Sequence, residues 1–93
     1  MIRSFATKAT ERLWNREKVR PIDPHAQKAA LRKLVQLNAA RQLDSFRVPP
    51  GNRLEALQGD RAGQYSIRVN AQWWICFAWT EGGVEDVELV DHH

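Results

Sequence analysis

The chain ends in Asp91-His92-His93, a carboxylate followed by two imidazoles. An imidazole titrates near neutral pH, so this terminal trio is equipped to take and give protons. His93 is the first candidate for proton transfer and His92 the second. Adjacent strand residues point to opposite faces, so both serve one reacting group only if the terminus leaves strand geometry. The plain alternative makes His92 solvent-facing and His93 an idle end. Asp91 can orient a neighbouring imidazole or a hydroxyl, or it closes a strand as a solvated carboxylate. Upstream, Glu55 is a candidate base, with an outward-facing strand carboxylate as its alternative. Arg53, Arg61 and Arg68 are the only Lys or Arg after position 50. Each can hold a phosphate or pair with a nearby surface carboxylate. The single cysteine, Cys76, lies in an apolar run and has no partner within the chain. That excludes an internal disulfide or zinc site and suggests a buried, inert thiol.

These groups need a frame, and charge already divides the chain. Residues 1–50 carry a balance of +7 and residues 51–93 a balance of −4. A basic half joined to an acidic half suggests an anionic partner on one face, or simply two solvated basic helices. Ninety-three residues make a single domain, residues 1–93, with one modest core. No apolar stretch approaches the ~20 residues of a membrane helix, and the start has no signal-peptide core. The cytoplasm is the expected compartment, with no membrane partner.

The basic half predicts helices. Residues 2–5 form a short strand, after which Thr7 caps a first helix with Leu13 and Trp14 on its apolar side. Arg12, Arg16 and Lys18 make that helix's basic side. Asp23 at the N-cap with Pro24 at the first helical position starts a second helix, running over residues 25–40. Ala26, Ala29, Ala30, Leu34 and Leu37 recur at helical spacing, while Lys28, Arg32 and Arg41 stay polar. A further helical turn is expected over residues 43–46, and Val48-Pro49-Pro50-Gly51 then breaks all helix. Strands are predicted over residues 53–57, 65–69, 73–79 and 84–90, the last two joined by a tight Glu81-Gly82-Gly83 turn. The expected class is α+β: two to three N-terminal helices packed on a mostly antiparallel sheet of four to five strands.

Several stretches of this frame also carry a resemblance. They are Pro49-Pro50-Gly51-Asn52-Arg53-Leu54-Glu55, Gly59-Asp60-Arg61-Ala62-Gly63-Gln64-Tyr65-Ser66-Ile67-Arg68-Val69-Asn70, Gln72-Trp73, Ile75-Cys76-Phe77-Ala78-Trp79 and the terminal Asp91-His92-His93. In this order they resemble the HigB-type toxins of bacterial toxin–antitoxin pairs, part of the RelE-like ribonuclease superfamily. The opening Met1-Ile2-Arg3-Ser4-Phe5 fits as well. The resemblance implies a RelE-like two-layer fold and a toxin that enters the A site of the 30S ribosome and cuts mRNA there, inhibiting translation. It implies a HigA-like helix-turn-helix antitoxin as partner in a hetero-oligomer, and no metal or cofactor.

Metal-free cleavage by the 2′-hydroxyl needs a proton acceptor, stabilisation of charge on the phosphorane, and a proton donor for the departing 5′-oxygen. On the resemblance, His93 falls on the family's terminal histidine, Asp91 on its aspartate, and His92 where tyrosine is usual. Glu55 falls where some relatives place a histidine. Gln58 stands where lysine is common and Trp74 where arginine is common, each facing the scissile phosphate in the family. Neutralising one such donor costs on the order of 3–4 kcal/mol of transition-state stabilisation. Gln58 still donates a neutral hydrogen bond, whereas Trp74 offers only a stacking surface for an unpaired base, or bulk for a core or interface. On the resemblance, Lys28, Arg32, Lys33 and Arg41 are candidate contacts to ribosomal RNA phosphates. Two readings therefore stand side by side: an mRNA endonuclease of full or reduced activity, and a weakly active or inactive protein that still binds the antitoxin. A plain basic RNA-binding domain is a third, carried by charge alone.

Overall fold

The computed structural model of the chain describes residues 1–20 and 22–91. Two helices, α1 (Lys8–Trp14) and α2 (Pro24–Ala39), precede a four-stranded sheet of β1 (Glu55–Ala56), β2 (Gln64–Arg68), β3 (Trp73–Thr80) and β4 (Gly83–Asp91). Strand order follows the chain, and every neighbouring pair is antiparallel. The α+β two-layer expectation is therefore met, with four strands.

Both helix starts form as their residues dictate. Thr7 Oγ1 accepts from the Thr10 amide at 3.2 Å, and Asp23 Oδ1 accepts from the Ala26 amide at 2.9 Å, each satisfying an amide the helix itself leaves unpaired. The expected extension of α1 through Arg16 and Lys18 is corrected. Arg16 adopts a left-handed φ of 64°, its amide bonds to Leu13 O, and the Glu17 amide bonds to Arg12 O. That paired closure ends the helix and leaves Arg16 and Lys18 in the connector.

Ala30, Leu34 and Leu37 of α2, with Leu13 of α1, pack on Ile67, Ile75, Phe77, Val84 and Val87 of the sheet, all buried. Val84 and Val87 share that face despite their odd spacing, because β4 carries an extra residue there. Register shifts opposite Phe77, and Asp86 takes a φ of 54°. The bulge restores the core face, which alternation alone would have turned outward.

Two expected strands are shorter than predicted. Residues 2–5 make only two parallel bridges, Ile2 to Val84 and Phe5 to Val87. Gly83 permits that approach, since a Cβ there would run into the Met1 carbonyl oxygen. The predicted strand over residues 53–57 contracts to Glu55–Ala56 because Arg53 closes a 3-10 turn, Pro50–Asn52, at a left-handed φ of 47°. Asn52 in that turn is buried, accepting from Lys33 Nζ and donating to Phe46 O at 3.3 Å. It ties the turn to the helical half.

Candidate active site

Register across the sheet fixes which side chains meet. Glu55 pairs with Ser66, Ser66 with Cys76, and Cys76 with Glu88, a row that crosses all four strands. Arg68, Trp74 and Val90 form the next row. Both rows alternate with Ile67, Ile75 and Leu89, so they lie on the face opposite the helices. There the surface folds into a cleft of about 370 Å³ lined by Arg53, Glu55, Leu57, Arg61, Ser66, Trp74, Cys76 and Val90.

Two short turns deliver its cations. Arg53 caps the Pro50–Asn52 turn and is exposed; among the described residues it is in no ion pair. Arg61 ends the 3-10 turn Gly59–Arg61 and reaches β4, where Nη2 donates to Glu88 Oε1 at 2.9 Å. Its Nη1 donates to Gln64 Oε1 at 3.1 Å. The bond to Glu88 raises the Arg61 pKa further, against a smaller opposing effect of burial, so its charge is permanent. Cys76 behaves in the opposite sense. Burial pushes its thiol up, more than the Arg61 charge pulls it down, so it lines the cleft as a neutral, small side chain.

The tandem tryptophans separate. Trp73 is buried and shares the helix-side face with Ile75, whereas half-buried Trp74 faces the cleft. Of the residues singled out from sequence, Arg53, Glu55, Arg61 and Trp74 meet in this one cleft. Gln58 is exposed beside it: its carbonyl accepts from the Arg61 amide at 3.3 Å, but its side chain is not part of the lining. Arg68 stands in the Trp74 row at the margin. Asp91 closes β4 opposite Trp73, on the other face from Val90, and Oδ2 accepts from Gln72 Nε2 at 3.3 Å. Lys28 and Arg32 are exposed on α2, in the other layer. His92 and His93 lie outside the described residues.

Sequence reasoning missed Ser66, which lines the cleft, and Glu88, which holds one of its arginines. Glu88 stands between Val87 and Leu89 on β4 and so faces the cleft, but nothing local joins it to Arg61, 27 positions earlier. Only the register of β2, β3 and β4 brings them together.

Residues 3–93 match the model of a family described as the RelE-like toxin of the type II toxin–antitoxin system HigB. The chain is 37% identical over 93 residues to Toxin HigB-1 of Vibrio cholerae, covering 99% of this chain and 98% of the relative. It is also 35% identical over 65 residues to an uncharacterized protein of Haemophilus influenzae, covering 70% of this chain and 64% of the relative.

Proposed function

The chain belongs to the HigB-like, RelE-like toxins of type II toxin–antitoxin systems; from that premise we propose that it is a ribosome-dependent endoribonuclease cutting mRNA at A-site codons. The reaction is attack of a ribose 2′-hydroxyl on the adjacent phosphodiester, with side chains supplying charge and protons. Such a toxin has an antitoxin partner, here proposed to be a HigA-like helix-turn-helix protein.

The observation that carries this reading is the cleft on the helix-free face of the sheet. It encloses about 370 Å³, holds Arg53 and Arg61 at its wall, and contains a flat aromatic, Trp74. Strand β4 lines it through Val90 and leads directly to the terminal histidines. Arg53 and Arg61 neutralise phosphate and the charge that builds on the phosphorane. Arg61 is the better preorganised, because Glu88 and Gln64 hold its guanidinium in place. Trp74 stacks on an unpaired base, and Arg68 and Gln58 contact flanking nucleotides. Glu55 lies within the cleft as a proton acceptor. His93 supplies the proton to the leaving 5′-oxygen, with His92 as its partner, while Asp91, on the other face from Val90, acts through the end of β4, which it ties to Gln72. Lys28 and Arg32 add sequence-blind contacts to ribosomal RNA.

The test is a cell-free translation reaction with mRNA breaks mapped by primer extension. Breaks at A-site codons that vanish with His93→Ala are expected; intact mRNA with wild-type protein refutes the nuclease. A second reading, a binding protein that cuts little, is favoured by Trp74, whose indole brings no charge to the cleft wall. It predicts intact mRNA together with retained antitoxin binding.

A further inference from the structure

A second concavity, of about 430 Å³, lies between α2 and the connector that follows α1. It belongs to the helical layer and is therefore on the opposite side of the sheet from the cleft. Its floor is aliphatic: Val19, Ile22, Pro24 and Leu31. Its rim carries four cations, Arg16, Lys18, Arg20 and Lys28, and no carboxylate is among the described lining residues.

The rim is built rather than incidental. Gln27 of α2 clamps the connector with both ends of its amide, Oε1 accepting from the Val19 amide at 3.1 Å and Nε2 donating to Glu17 O at 2.7 Å. Arg16 is fixed as well, with Nη1 donating to Trp14 O at 2.8 Å and its guanidinium 5.6 Å from the Trp14 ring centroid. A connector held this way presents its charges with less ordering cost on binding.

The combination selects among ligands. Nucleic-acid phosphates would satisfy the cations, Lys28 among them, but would leave the aliphatic floor uncovered. A peptide carrying aliphatic residues flanked by carboxylates satisfies floor and rim together. We propose that this groove docks an acidic, aliphatic-faced segment of the antitoxin. The inference rests on the reading of the chain as a toxin with a protein antitoxin. It follows that the docked segment leaves the cleft on the other face uncovered.

The test is titration of the purified cognate antitoxin into wild-type toxin and into Lys18→Glu/Arg20→Glu, at two salt concentrations. The double variant is expected to bind at least about tenfold more weakly, mostly through slower association, and to lose most of the salt dependence. Its cleavage of ribosome-bound mRNA without antitoxin should match wild type. Affinity within about twofold of wild type overturns the groove. So does unchanged antitoxin affinity with weakened ribosome binding, which would make the groove an RNA surface. Should the double variant fail to fold, Lys18→Gln alone must still weaken the complex and flatten its salt dependence, or the groove is overturned. If wild-type toxin does not bind the antitoxin at all, the partner reading itself falls.

Discussion

Arg61 is the residue whose surroundings say most about the cleft. Its ion pair with Glu88 is half-exposed, with side-chain exposures of 40% and 24%, so it adds little to stability. Its consequence is orientation. Glu88→Gln keeps the Arg61 charge but loosens its geometry, and is expected to lower kcat more than it raises KM in ribosome-dependent cleavage. Trp74→Arg adds a cation to the cleft wall and is expected to raise the cleavage rate at least about tenfold, a fraction of what a well-placed donor supplies. An unchanged rate would mean that Trp74 contributes by stacking alone. Cys76 carries a separate pH signature. Its raised pKa means the folded state favours the neutral thiol, so its contribution to stability is complete below the ordinary thiol value of 9.0 and is lost as pH rises above it. Alkylation of the native protein at pH near 8 should therefore be at least about tenfold slower than after unfolding.

Among the elements, the helix starts were legible because capping is local: Thr7 and Asp23 act on amides three positions on. The turn between the strands predicted over residues 65–69 and 73–79 is also local, with Asn70 Oδ1 accepting from the Gln72 and Trp73 amides, each at 2.8 Å. What escaped depends on partners distant in sequence. The first predicted strand shrank to two bridges, at Val84 and Val87, whose amides and carbonyls bond to Met1, Arg3, Ser4 and Ala6. Arg16, Arg53 and Asp86 take left-handed conformations that their residue types do not announce. Asp86 also has its amide bonded to Ser4 Oγ at 2.9 Å, so the bulge is tied to the N-terminal segment. Asp86→Val should cost about 1–2 kcal/mol in chemical denaturation and Asp86→Gly little or nothing, because only the branched residue resists that φ. Asn52→Ala, which strips the buried amide from the turn beneath Arg53, should cost about 1–3 kcal/mol by the same measure.

At the scale of the molecule, the two layers do different work. The sheet's free face gathers Arg53, Glu55, Arg61 and Trp74 from three separate stretches of sequence. The types of these residues were readable; their meeting in one cleft was not, because it depends on strand register and on two 3-10 turns. The helical layer carries the basic half of the chain, and its helices cover the other face. Among the described residues no helix is long and apolar enough to cross a membrane. The central claim is that the cleft on the free face cuts RNA. It is tested most directly by the single-turnover cleavage of ribosome-bound mRNA by wild type and by Arg53→Glu, an exposed residue whose reversal leaves the core untouched. A loss of roughly a hundredfold in rate, with antitoxin binding unchanged, is expected. A variant that cuts as fast as wild type would contradict the assignment of the cleft.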